Sequence, residues 1–476
     1  MKRFFGIITL AVLCVAAKAK VVLPNFMGDN MVLQQQTDVA LWGTATPGKK
    51  VTIRPEWTKE KTVVVADSET GKWSTHIATP AAGGPYNIVF SDGEKLTVTN
   101  VLIGEVWFCS GQSNMEMYVR GFTSQPVEGA TKVIASAKPS TPIRMCTIGK
   151  RSMTTPQDTV VTNGWQVNEP QAVAEASAVA YYFAKTLYEA LGVPVGLLIT
   201  NWGGSSIETW LDENVIRKDF PEFNLDYLKS GEVPGNMRNN WPCLLYNGQV
   251  HALVPYTFKG MLWYQGETNR GRTAQYERLQ TAYAKRMREL FQVPDAPFYF
   301  VQIAPYPYGN PNSWDSGYFY EAQANTLKTI PNSGMAVTAD IGEYGTIHPS
   351  KKEPVGERLA LLALQNDYGV RGIEANAPTY KSLEINGNKA IVKFNVGGHG
   401  LSPMGKVVDG FEVAGADKVF HPGKAILING STFEVTCDEV PEPVAVRYCF
   451  RNWGVGTVYN CSGIPLAPFR TDDWRL

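Results

Sequence analysis

A chain of 476 residues, 44% hydrophobic and 18% charged, is too long for one ordinary domain and too apolar for a disordered polymer. Its 44 lysines and arginines balance its 44 aspartates and glutamates, so it offers no basic surface to a polyanion. No nucleic acid partner is expected, and nothing in the composition sets an oligomeric state.

The first residues predict export. Lys2 and Arg3 precede an apolar run over residues 4–17, and Ala17-Lys18-Ala19 is a small-x-small cleavage site. This reads as a signal peptide over residues 1–19, too short to span a membrane. Cys14 follows Leu13, where lipoprotein processing wants a small residue, so release to the periplasm or outside the cell is expected. No later apolar run reaches spanning length, and no membrane insertion is expected. Six cysteines follow the leader, with no CxxC pair and no His/Cys cluster at zinc spacing. No zinc site is therefore indicated, and no cofactor is expected. Cys437, Cys449 and Cys461 lie close enough in sequence to include one disulfide.

Residues 20–103 alternate in short strand-like runs, such as Lys50-Val51-Thr52-Ile53-Arg54 and Tyr86-Asn87-Ile88-Val89-Phe90. Turn signals at Thr46-Pro47-Gly48 and Asp92-Gly93 divide them, which predicts an N-terminal β-sandwich. From Gly104 the rhythm changes. Apolar runs at 106–109, 195–200, 260–264, 298–302 and 335–339 alternate with helical patterns at 174–191, 276–291 and 355–365. That alternation over 104–374 predicts a parallel sheet covered by helices on both faces. From 375 to 476 the chain returns to strands and turns, a C-terminal β region.

In an open parallel sheet, sites form beyond the carboxyl ends of the strands. Directly after residues 106–109 comes Ser110-Gly111-Gln112-Ser113-Asn114. A serine in a tight glycine turn at a strand end presents its hydroxyl outward, and it needs a neighbouring base to become a nucleophile. Taken alone, the motif fits a plain turn equally well. Of the five histidines, only His251 and His348 fall in the α/β segment, and only His348 follows a strand end. Two more polar loops follow strands: Asn201-Trp202-Gly203-Gly204-Ser205 and Gln265-Gly266-Glu267-Thr268-Asn269. Glycine N–H groups and an amide side chain are the donors that a tetrahedral oxyanion requires.

These blocks, in this order, resemble the SGNH-type esterases of the sialate O-acetylesterase family. The resemblance rests on Gly111-Gln112-Ser113-Asn114-Met115, Trp202-Gly203-Gly204-Ser205, Trp263-Tyr264-Gln265-Gly266-Glu267-Thr268-Asn269 and Ile347-His348-Pro349. It implies a three-layer α/β/α hydrolase domain acting on acetylated sugars or glycans without metal. Ser113 would be the nucleophile and His348 its base. The Ser113 N–H, the Gly204 N–H and the Gln265 side chain would form the oxyanion hole, with Asn114, Glu267 and Asn269 in support. Acetylated sialic acid is the first expected substrate, and acetylated xylan or another glycan the alternative.

One position departs from the family. Members often carry an aspartate two residues before the histidine, where this chain has Thr346. Glu343 is preferred as the acid that orients the ring, with Asp340 or a backbone carbonyl as alternatives. Without any such partner, the chain would be a catalytically impaired carbohydrate-binding protein.

Overall fold

The computed structural model describes residues 20–233 and 235–475; the segment read as a signal peptide lies outside the described residues. Near the start, Asp38–Thr44 pairs antiparallel with Lys72–Ala78, and Lys50–Pro55 pairs with both Thr62–Val65 and Gly83–Ser91. Alternate residues point inward: Val51 and Ile53 are fully buried between exposed or half-buried neighbours. Trp73 from the first ladder meets Phe90 from the second, so the two ladders face each other across one apolar layer.

Gly83–Ser91 also pairs with a long strand, Lys95–Gly111, whose character changes along its length. Exposed residues recur up to Thr99, whereas every residue from Val101 to Gly111 is buried. The second half pairs in parallel with Val195–Asn201 on one side and Gly260–Tyr264 on the other. A strand covered on one face thus becomes a strand covered on both. The change of rhythm read near Gly104 falls inside this strand rather than at a linker.

The central sheet runs in the order Ser333–Ala336, Phe298–Val301, Gly260–Tyr264, Lys95–Gly111, Val195–Asn201, Ile143–Ile148 and Thr162–Val167. All neighbours are parallel except the last pair. Along the central strand, Val106 and Phe108 join the core that holds Tyr276, Leu279, Tyr283 and Met287 of the helix Thr273–Leu290. Trp107 and Cys109 join the opposite core, with the helices Ala178–Leu191 and Glu353–Asn366. The result is the expected three-layer α/β/α arrangement. Trp107 is fully buried against Phe183 and Tyr299, and truncating such a ring to alanine costs roughly 3–5 kcal/mol.

Beyond residue 375 come two four-stranded sheets, one built on Lys389–Asn395 and Thr432–Thr436, the other on Phe411–Ala414 and Ala445–Tyr448. They share a core that includes Phe394, Phe411, Phe433 and Tyr448. Cys437, Cys449 and Cys461 are free thiols, not a bridged pair. Among the described residues, no helix is long and apolar enough to cross a membrane.

Candidate active site

The central strand ends in Gly111, whose φ of +151° is one that side chains rarely adopt. A Cβ there would also collide with the Tyr264 carbonyl of the neighbouring strand, so glycine is required. Gln112 N–H donates to that same carbonyl at 3.0 Å, and the chain turns straight into the short helix Ser113–Glu116. As the first helical residue, Ser113 has an N–H without an intrahelical acceptor. Its side chain is half-buried in a cleft of about 510 Å³, lined also by Gln112, Gly203, Gly204, Glu267 and His348.

The loop after Val195–Asn201 packs directly on the serine: a Cβ on Gly203 would lie 3.3 Å from that of Ser113. Gly203 N–H donates to Glu116 Oε2 at 2.6 Å, and Glu116 is held in turn by Lys150 at 2.6 Å. This engages the first glycine amide. Gly204, with φ +72°, keeps an N–H that has no acceptor among the described residues. Of the glycine pair, Gly204 is therefore the one able to donate to a ligand in the cleft.

Gln265 differs from its expected place. It is fully buried, and its Nε2 donates to Ser205 O at 3.1 Å and Asn269 Oδ1 at 2.7 Å. Both donor positions are used inside the protein and the residue does not line the cleft. Asn269 continues this brace, accepting from Ile207 N–H and donating to Glu208. The side-chain amide that does line the cleft is Gln112, its Oε1 fixed by Gly266 N–H at 3.2 Å and its Nε2 without an acceptor among the described residues.

His348 sits on the loop after Ser333–Ala336, half-buried, and lines the same cleft. The acids of its own loop are engaged elsewhere. Glu343 Oε1 accepts from the Ser350 N–H and hydroxyl, both at 2.6 Å. Asp340 forms a two-pronged pair with Arg358 at 2.8 and 2.7 Å. Thr346, in the position of the family's aspartate, accepts from the His348 backbone N–H at 3.1 Å. The group that meets the ring is Gln125, its Oε1 at 2.6 Å from Nδ1. A carbonyl oxygen can only accept, so Nδ1 carries the proton and the lone pair lies on Nε2.

Burial, and then the Lys352 ammonium, depress the His348 pKa to about 4, so the ring is neutral at pH 7. Lys352 is itself brought down to about 7 by burial. It donates to Asn114 Oδ1 at 2.6 Å, while Asn114 Nδ2 donates to Glu267 Oε1 at 2.6 Å and Ile347 O at 3.1 Å. Burial raises the Glu267 carboxyl above its usual range. Asn114 thus ties the serine helix to both flanking loops. His251, the other candidate, contacts Tyr246 and does not line the cleft. A neutral imidazole, a serine hydroxyl and at least two unengaged backbone amides in one cleft can support acyl transfer.

Sequence reasoning passed over Gln125, Glu116 and Lys352. Glu116 lies three residues beyond the serine, a spacing that marks it as part of the same turn. Gln125 lies in a loop with no strand-end signal.

Residues 103–365 match the model of a family described as carbohydrate esterase, sialic acid-specific acetylesterase. The sialate O-acetylesterase of Homo sapiens is 27% identical over 410 residues, covering 77% of this chain and 75% of that protein. The sialate O-acetylesterase of Mus musculus is 27% identical over 447 residues, covering 80% of each. The crystal structure of a carbohydrate acetylesterase from Xanthomonas citri superposes with a TM-score of 0.85 at 33% identity, covering 95% of this chain and all of that one.

Proposed function

Since the chain belongs to the sialic acid-specific acetylesterase family of carbohydrate esterases, we propose that it hydrolyses O-acetyl groups on sialic acids through an acetyl-enzyme at Ser113. The observation that carries this reading is the convergence of Ser113, Gly204 and His348 on one cleft at the carboxyl end of the parallel strands.

His348 Nε2 takes the Ser113 proton as Oγ bonds to the acetyl carbon. The oxyanion that forms accepts from the Ser113 and Gly204 N–H groups, each such donor being worth about 3 kcal/mol in the transition state. Collapse expels the sugar oxygen, which receives the proton back from Nε2. Water then attacks the acetyl carbon as His348 takes its proton, and the C–Oγ bond breaks with that proton passing to Ser113 Oγ, which releases acetate and restores the serine. Gln125 holds the reactive tautomer throughout. As a neutral group it stabilises the imidazolium less than a carboxylate does, in keeping with the depressed pKa of the ring.

The basic and apolar pattern of residues 1–19 supports export to the periplasm or beyond the cell. N-terminal sequencing of the secreted form tests that part: a start at Lys20 is expected, and an intact Met1 in the mature protein rejects it. Acetate release from O-acetylated sialosides and from acetylated xylo-oligosaccharides tests the substrate. Faster turnover of the sialosides is expected, and faster turnover of the xylo-oligosaccharides reassigns the sugar. Mass spectrometry of the quenched reaction should find the acetyl group on Ser113; an acetyl group trapped on another residue refutes the mechanism.

A further inference from the structure

An aromatic pair joins the loop that carries His348 to the C-terminal β region, on residues outside the acyl-transfer machinery. Tyr344 occupies the turn closed by the Glu343–Thr346 bridge, four residues before His348, and is 59% exposed. The half-buried Trp453, from the C-terminal β region, meets it edge to face, with ring centroids 5.2 Å apart at 84°. With Tyr344 exposed and Trp453 partly so, the two rings make a contiguous aromatic patch of the kind that marks a contact surface.

The support behind Trp453 is rigid. Asn452 is buried: its side chain accepts from Ser316 N–H at 3.0 Å and hydroxyl at 2.8 Å, and donates to Asn310 O at 2.9 Å. Three residues past Trp453, Gly456 N–H donates to Ala339 O at 2.8 Å, near the start of the loop that carries His348. The tryptophan is thus anchored on both sides and delivered to the end of the sheet where the serine lies. His348 lies four positions after Tyr344, which bounds their Cα spacing at about 14 Å, within reach of an adjoining sugar.

We propose that Tyr344 and Trp453 form a stacking subsite for a neighbouring sugar ring of the glycan whose acetylated residue occupies the cleft. The C–H face of a pyranose matches an aromatic face, and rings with two rotatable bonds lose little entropy on being covered. The preferred substrate is accordingly an oligosaccharide, not a free monosaccharide. The placement of the acetylated residue rests on the esterase reading; the affinity for sugar does not.

The test compares an O-acetylated sialyl trisaccharide with 4-nitrophenyl acetate in Tyr344→Ala, Trp453→Ala and Trp453→Phe. For the alanine variants, KM for the trisaccharide should rise about tenfold, while hydrolysis of the aryl acetate stays within about twofold. Trp453→Phe should retain most of the affinity. Equal losses on both substrates, or none on either, overturn the subsite. Tyr344→Ala changes only an exposed turn, so the test survives misfolding of Trp453→Ala. If the wild type hydrolyses neither substrate, the esterase reading fails by itself. The subsite is then judged by tryptophan fluorescence on titration with deacetylated trisaccharide: a change absent from Trp453→Phe supports it, and no change in the wild type overturns it.

Discussion

The serine side and the histidine side of the cleft are held by different means. Around Ser113 the constraints are largely backbone ones: Gly111 against the Tyr264 carbonyl, Trp202 N–H on Gly111 O at 3.1 Å, and Gly203 N–H on Glu116. Around His348 they are side-chain contacts: Gln125 on the ring, Thr346 on the backbone N–H, and Asn114, itself held by Lys352, on the Ile347 carbonyl. Peptide groups locked in a sheet leave little room for substitution. Side-chain partners can be exchanged, and exchanging them alters when the ring takes up a proton more than where it stands.

Mutations can break this contrast in order of severity. Ser113→Ala removes the nucleophile and should lower kcat on 4-nitrophenyl acetate by roughly 10⁴-fold or more; retention of a tenth of the activity would take Ser113 out of the reaction. Gly111→Ala attacks the backbone side. It should cost about 100-fold in kcat, the scale expected of a small displacement of the attacking atom, together with a lower melting temperature. Full activity in that variant would show the serine turn to be adaptable.

On the other side, Gln125→Ala should lower kcat only about tenfold, because water can take over part of the contact with Nδ1. A loss as large as that of Gly111→Ala would erase the difference between the two sides. The wild-type kcat/KM should fall as pH drops through about 4, where the neutral ring takes up a proton. Gln125→Glu puts a negative charge beside Nδ1, favours the protonated form, and should move that fall upward by about 1–2 pH units. Lys352→Met removes the opposing charge and should move it in the same direction by less, since burial, the larger cause, remains. An unchanged profile in both variants would detach the acid limb from His348.

The same division explains what could be read from the residues alone. The unbroken apolar run before Ser110, the glycines at 111, 203 and 204, and the order of strands and helices are local signals, and they correspond to the observed sheet and its turns. The neighbour of the histidine ring is not local. Gln125 is 223 positions away in sequence, and a neutral amide carries no mark of function there. Glu343 and Asp340 were the natural acids by proximity, yet Ser350 and Arg358 engage them. Gln265 shows the limit of the strand-end rule, which locates a loop but not which of its side chains face the cleft and which brace it from behind.

Because Lys95–Gly111 belongs to both the N-terminal ladders and the central sheet, those two layers have no hinge between them. Heat or denaturant should melt them in one transition. A shortened protein starting at Gly104 would cut this strand in half and bare the apolar core that the ladders share with Val106 and Phe108, a surface prone to self-association. The first layer is thus part of the scaffold that aims the nucleophile, and cannot be trimmed away as an accessory.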